Sequence, residues 1–187
     1  MIGCNLSGKK VNLRPLMDDD LPRRVQWMND AETVRLYSGI YPIRVYLLAD
    51  AERWRQALEV DRWAIVWAFE TKEGRHIGDL DLHGIDRKEL TAKLTVLLGD
   101  KEYWSQGYGT DAITTMLKYA FSDLCFDTIT LKVFAFNKRA IACYKKCGFE
   151  KVPNTPSGLW SVIGPGEEQM AVTRKRFMEQ ASIPKAA

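Results

Sequence analysis

Leu94-Thr95-Val96-Leu97-Leu98, then Gln106-Gly107-Tyr108-Gly109-Thr110, then Ile113, Met116, Leu117, Ala120, Phe121 and Leu124 at helical spacing: this passage decides the fold. The first run has the aliphatic and β-branched character of a strand, and the last set repeats with the period of a helix. A glycine-rich turn therefore joins the end of a strand to the start of a helix. Two glycines let backbone amides crowd around a ligand. The free N–H groups and positive dipole end of the helix favour an anion there. The turn reads as a phosphate-binding loop. A tight structural turn has the same local signature, so the reading needs a second element.

That element is Asn137-Lys138-Arg139-Ala140-Ile141-Ala142-Cys143-Tyr144-Lys145-Lys146-Cys147-Gly148-Phe149. Together the two segments resemble the GNAT superfamily of acyl-CoA-dependent N-acyltransferases. The pyrophosphate loop of that family reads Gln/Arg-x-x-Gly-x-Gly/Ala. Its second half reads Asn-x-x-Ala, then a Tyr, then Gly-Phe. Both halves are present, in order. One departure is Trp104, which stands at the first Gln/Arg position of the loop. With that Trp, residues 103–112 look like the branch that contains the ribosomal-protein N-terminal acetyltransferases. The resemblance is sharp over residues 91–149 and looser elsewhere.

The resemblance implies an α/β fold with a mixed, mostly antiparallel central sheet flanked by helices, in the order βααβββαβαββ. It implies direct attack of a neutral amine on the thioester of acetyl-CoA, without a metal. The coenzyme pyrophosphate would lie on Trp104, Ser105, Gln106, Gly107, Tyr108, Gly109 and Thr110. Backbone N–H groups around Leu97 and Leu98 would face the carbonyl oxygen, where negative charge builds in the tetrahedral intermediate. Asn137 would hydrogen-bond the pantetheine arm, and its residue type also suits a helix cap. Lys138 and Arg139 are candidates for the 3′-phosphate, although such charges are often simply solvated. Tyr144 would protonate the leaving thiolate.

That last role is chemically reasonable, because a phenol of pKa ~10 can serve a thiolate whose conjugate acid lies near ~8.5. Without the resemblance, Tyr144 reads as an amphipathic core residue with its hydroxyl at the surface. If Gly148 is the left-handed C′ residue of its helix, Phe149 is C″ and Tyr144 is C3. A Schellman cap often brings those two into hydrophobic contact, so Phe149 is expected to brace the Tyr144 ring.

The general base is harder to place. Many members of the family carry an acidic residue near the strand before the loop, whereas this strand holds Lys93 and has no carboxylate before Asp100. The neighbouring strand offers Asp79, Asp81 and His83, which share one face by period-two alternation. The stripe faces either the cleft or bulk solvent. Cys143 and Cys147 sit one turn apart on the Tyr144 helix. A covalent acyl-cysteine is conceivable there, but buried structural thiols are far commoner.

The rest of the chain frames this site. Residues 11–16 read as a first strand, with Pro15 suited to a sheet edge. Leu21, Val25 and Met28 line one face of a helix behind Asp18, Asp19 and Asp20. Asp50 is placed to cap a second helix carrying Ala51, Trp54 and Leu58. Strands follow at residues 63–70, 75–83 and 91–98, with turns at Gly74 and Gly84. After the long helix, Ile129, Leu131, Val133 and Ala135 alternate as a strand. The helix after Asn137 ends at Gly148, and residues 149–153 and 167–174 are the last strands. The acceptor site is expected from the loop at residues 37–46, between the first two helices, and from the connection at residues 156–164. Tyr37, Tyr41, Tyr46 and Trp160 concentrate there.

The chain of 187 residues reads most simply as one domain, 1–187, with a sizeable core. Its net charge of +3 is too small to argue for nucleic acid. The clearest apolar run, residues 63–69, is far short of a membrane span. The four cysteines show no disulfide framework or zinc spacing, and the N-terminus has no export pattern, which together favour a cytoplasmic setting. No heptad pattern is evident, so monomer and homodimer both remain open. The branch resemblance favours a protein N-terminal α-amine as acceptor. A polyamine, amino sugar or aminoglycoside is the alternative, and a non-catalytic acyl-CoA sensor is a third reading.

Overall fold

The computed structural model describes residues 4–42, 44–60, 64–153 and 166–182. Eight strands form one sheet in the order β1-β2-β3-β4-β5-β6-β8-β7. They are β1 (Leu6–Ser7), β2 (Val11–Pro15), β3 (Ile65–Thr71), β4 (His76–Asp86), β5 (Thr91–Leu98), β6 (Thr128–Phe134), β7 (Glu150–Lys151) and β8 (Glu167–Thr173). Helices α1 (Leu21–Met28), α2 (Ala31–Ser38) and α3 (Leu48–Val60) lie between β2 and β3. Helix α4 (Tyr108–Ser122) follows β5, α5 (Lys138–Lys146) follows β6, and α6 (Arg174–Ser182) closes the chain. This is the α/β fold that the resemblance implies, with β1, α2 and α6 in addition to the expected elements. No described helix is long and apolar enough to cross a membrane.

Strand register sorts the two sheet faces. Ile65 and Trp67 of β3 pair with Leu82 and Leu80 of β4, which pair in turn with Leu94 and Val96 of β5. Directly opposed residues share a face, so this is the apolar side, and Ile113, Met116, Leu117, Ala120 and Phe121 of α4 close over it. On the other side, Ala68 pairs with Asp79 and Val66 with Asp81. The acidic stripe of β4 is therefore not on bulk solvent: Asp79 is 3% and Asp81 9% exposed beneath the α1–α3 layer.

That layer corrects the reading of α1. Its buried positions are Leu21, Arg24 and Trp27, whereas Val25 and Met28 are half-buried. The reason is electrostatic. A helix laid over a stripe of carboxylates needs a cation on its inner face, and Arg24 supplies it with a 2.8 Å ion pair to Asp79. The Arg24 guanidinium also lies 3.4 Å from the Trp54 ring centroid on α3. Asp20, itself buried, forms a second ion pair with the half-buried Arg14 at 2.7 Å.

Other boundaries also moved. Gly74 occupies its expected turn with φ +85, but Gly84 sits inside β4, where the pairing with β5 shifts register between His83 and Asp86. A left-handed residue at such a shift is a bulge, not a turn between strands. Tyr37 belongs to the last turn of α2, not to a loop, and Gly39 caps that helix in the left-handed conformation. Asp50 lies in the first turn of α3 and accepts a hydrogen bond from the Leu47 N–H at 2.8 Å, so the helix begins earlier than the sequence suggested. Ala135 and Leu124 fall just beyond the ends of β6 and α4. Trp63, and with it the start of the strand expected at residues 63–70, lies outside the described residues, as do Trp160 and the connection at 156–164.

Candidate active site

The site is a gap in the sheet. Strands β5 and β6 run parallel, but they pair only over Thr91–Lys93 with Thr128–Thr130. Beyond that point β6 stays hydrogen-bonded to β8 and β5 stays bonded to β4, so the two strands diverge. A cleft of about 700 Å³ opens between them, with Leu94 to Leu98 along one wall and Leu131 to Phe134 along the other.

The glycine loop forms one end of this cleft. Ser105 and Gly107 both have positive φ, +61 and +87, and Gly107 is the N-cap of α4. Ser105, Gly107, Gly109 and Thr110 line the cleft, so the free amides of the α4 first turn open onto it. Gln106 and Tyr108 do not line it. Gln106 accepts a 2.8 Å bond from Lys10 Nζ through its carbonyl, and Tyr108 packs edge-on against Tyr103 at 4.9 Å. The Asp111 carboxylate accepts backbone N–H bonds from Lys9, Lys10 and Val11 at 3.1, 2.7 and 3.1 Å, which fastens the β1–β2 turn to the start of α4.

Trp104, the departure from the family pattern, has a defined job. Its indole N–H donates to the Leu98 carbonyl at 2.7 Å, bolting the loop to the end of β5. Its ring carries the Arg139 guanidinium at 3.4 Å from the centroid. Arg139 lines the cleft, and burial is the main influence holding its pKa below the usual value. Lys138 does not line the cleft. The stacking was legible only in principle, from an aromatic standing where a Gln or Arg was expected while an arginine follows Asn137.

Helix α5 forms the far side. Asn137 caps it, accepting from the Ala140 N–H at 3.1 Å, and its amide donates to the Leu36 carbonyl of α2 at 3.1 Å. Its side chain thus ties α5 to α2 at the cleft wall. At the other end Gly148 has φ +98, the Phe149 N–H bonds the Tyr144 carbonyl at 3.0 Å, and the Gly148 N–H bonds Lys145 at 3.1 Å. Those two bonds are the Schellman pattern. Tyr144 lines the cleft, and burial pushes its phenol well above the ordinary value. It is therefore protonated at neutral pH.

The three stripe residues part company. His83 lines the cleft and its Nδ1 lies 2.8 Å from Asp81 Oδ1. With Nδ1–H donating to that carboxylate, Nε2 is left as the lone-pair nitrogen. Asp79 does not line the cleft: it is engaged by Arg24 and by His76 Nε2 at 2.9 Å. Tyr37 of α2 also lines the cleft, and its buried phenol is likewise pushed up.

A strand pair splays beside a glycine loop, and a tyrosine is braced on the following helix. Residues 10–150 match the acetyltransferase (GNAT) domain family. The chain belongs to this family. It is an acetyl-CoA-dependent N-acetyltransferase. It is 27% identical over 157 residues to the human alpha/beta-tubulin-N-acetyltransferase 9, covering 79% of this chain and 75% of that protein. The structure of spermidine N-acetyltransferase from Vibrio cholerae, in complex with CoA and spermine, superposes with a TM-score of 0.74 at 19% identity over 90% of this chain and 98% of that one. A Vibrio cholerae structure provisionally assigned as a ribosomal-protein-serine acetyltransferase gives 0.73 at 17% identity, covering 92% and 99%. At these identities the two structures share the fold, and three different acceptors appear among the three proteins.

Proposed function

We propose that this acetyltransferase, acting as one domain over residues 1–187 in the cytoplasm, acetylates the N-terminal α-amine of a protein. Attack would be direct, in a ternary complex with acetyl-CoA. The observation that carries this reading is charge. The acceptor segment at residues 37–46 contains no Asp or Glu, and neither does the stretch 156–164. Lys93, Lys132, Arg139 and Lys146 line the described cleft against a single acidic residue, Glu167. Such a surface suits an anionic coenzyme and an uncharged peptide backbone. A polyamine is a polycation and needs carboxylates along its length.

The chemistry agrees. A protein α-amine has a pKa of about 7.7–8.0, against about 10.4 for lysine, so a substantial fraction is already neutral near physiological pH. A modest base suffices. In this reading His83 Nε2 removes the proton, directly or through a water, while Asp81 orients the ring and stabilises the imidazolium. Asp79 anchors the stripe to the overlying helix α1 through Arg24. Tyr144 protonates the leaving coenzyme thiolate, and the amides at Leu97 and Leu98 stand near the developing oxyanion. The pyrophosphate lies on the loop from Trp104 to Thr110, with Asn137 and Arg139 toward the rest of the coenzyme.

The test is an acceptor screen with acetyl-CoA, read by mass spectrometry, using peptides with free N-termini, spermidine, glucosamine and an aminoglycoside. Acetylation confined to peptide N-termini supports the reading. Acetylation of spermidine with no peptide product replaces it.

A further inference from the structure

Cys143 is a cleft residue that the proposed reaction does not use. Its Sγ lies 3.3 Å from Thr110 Oγ1, in the first turn of α4. A Cβ built on Gly109 would be 3.8 Å from the same sulfur. The thiol is therefore set against the turn whose amides open onto the cleft. One helical turn further along, Cys147 is 2% exposed and its own thiol reaches the Thr110 carbonyl at 3.6 Å. The two sulfurs clasp one residue of the coenzyme loop. Cys4 and Cys125, by contrast, are exposed and do not line the cleft.

We propose that Cys143 is a thiol-modification site through which a small disulfide shuts off acetyl-CoA binding. The Cys143 thiolate attacks one sulfur of the disulfide. A new S–S bond forms to Cys143, the old S–S bond breaks, and the departing thiolate takes a proton from solvent. Cys143 is oxidised and the small disulfide is reduced, so the exchange balances. The surroundings favour the thiolate. A hydrogen bond from Cys147 lowers the Cys143 pKa, burial opposes this, and Thr110, Lys146 and Arg139 add to the lowering, leaving it at about 7. Cys147 is pushed the opposite way, mainly by the same hydrogen bond, and stays a thiol. A group attached to Cys143 stands where the coenzyme must lie, so modification and coenzyme binding exclude one another. The inference rests on the reading of this cleft as the coenzyme site.

The experiment uses glutathione disulfide on the full chain carrying Cys4→Ser and Cys125→Ser, with labelling mapped by mass spectrometry and acetyl-CoA affinity measured by calorimetry before and after. One glutathione is expected on Cys143. Acetyl-CoA at a hundred times its Kd should slow that labelling roughly 100-fold, because it leaves about one site in a hundred open. The labelled protein should show no measurable acetyl-CoA binding, and dithiothreitol should restore it. With Cys143→Ser added, affinity should be the same before and after treatment. Absence of label at Cys143, or a fully labelled protein that binds acetyl-CoA as before, overturns the proposal. Failure of the untreated protein to bind acetyl-CoA would instead remove the coenzyme reading, and this inference with it.

Discussion

Phe149 packs edge-on against Tyr144, their ring centroids 5.9 Å apart, because the end of α5 places them as C″ and C3 of one Schellman cap. The glycine between them is not there for flexibility. Gly148 has φ +98, and a Cβ there would meet the Gln180 carboxamide at 2.8 Å and Val172 at 3.3 Å. Backbone geometry thus fixes the bearing of the Tyr144 ring where it lines the cleft.

Removing only the hydroxyl should separate chemistry from binding. Tyr144→Phe is expected to keep the ring contact and coenzyme affinity while turnover falls roughly 10²–10⁴-fold. Steady-state kinetics at saturating acetyl-CoA, with calorimetry for the coenzyme, check this. Undiminished turnover would return Tyr144 to a packing role.

Gly109 tests the loop without testing the fold. A Cβ there meets Cys143 Sγ and Leu98 Cδ2 at 3.8 Å, ordinary contact. Gly109→Val should therefore fold with a Tm within the roughly 2–4 °C that about 1 kcal/mol shifts a domain of this size. Its branched side chain should nonetheless abolish measurable acetyl-CoA binding, because the phosphates need close approach to the backbone. Unchanged affinity in a folded variant would move the pyrophosphate elsewhere.

The Arg24–Asp79 pair, with both side chains 4% exposed, makes a stability prediction. Asp79→Ala leaves a buried guanidinium uncompensated and should cost about 3–5 kcal/mol. Arg24→Met combined with Asp79→Leu removes both charges and should cost less than Asp79→Ala alone. Urea unfolding of the three proteins decides it. A double variant that is the least stable of the set would show that the pair is net stabilising.

Asp20 gives the chain an acid limit. Burial raises its carboxyl pKa, but hydrogen bonds from Arg14 and the Met17 N–H, with the charges of His76 and Arg14, hold the net value below the usual carboxylate range. A depressed folded pKa contributes stability that is complete above the unfolded value of about 3.9 and is lost as pH falls through the lower folded value. Asp20→Asn should be less stable than wild type at neutral pH by about 1.5–3 kcal/mol and should lose less on acidification below pH ~4. Parallel unfolding curves at both pH values would exclude Asp20 as the source.

What the sequence disclosed is local. Strand β5, the glycine turn, α4 and the α5 cap depend on neighbours in the chain, and residues 91–98 were read with the ends that β5 has. The face of α1 was misread because hydrophobic periodicity sends arginine to solvent. The carboxylate that draws Arg24 inward is 55 residues away, in a strand paired only in the folded sheet. Gly84 was read as a turn because a bulge and a turn both ask for a left-handed residue, and only the β4–β5 register tells them apart. For the site, the family resemblance named Tyr144, and period-two alternation of polar residue types named the stripe. Only the splay between β5 and β6, and the α1–α3 layer above, separated His83 from Asp79.

That separation makes the final prediction. His83 lines the cleft with Nδ1 on Asp81, whereas Asp79 is engaged by Arg24 and His76. If the proton leaves through this ring, His83→Gln should lower turnover and change the acidic side of the pH–rate profile, with coenzyme affinity spared because the glycine loop lies elsewhere. Asp81→Asn should give a smaller loss of the same kind, since Asn still accepts from Nδ1–H but no longer stabilises the imidazolium. Asp79→Asn should act through stability, shifting Tm while leaving the shape of the pH profile of the folded enzyme intact. Rates measured across pH at saturating acetyl-CoA distinguish the three. A His83→Gln enzyme with wild-type rate and profile would show that the amine attacks from its own neutral fraction, with no base on this strand.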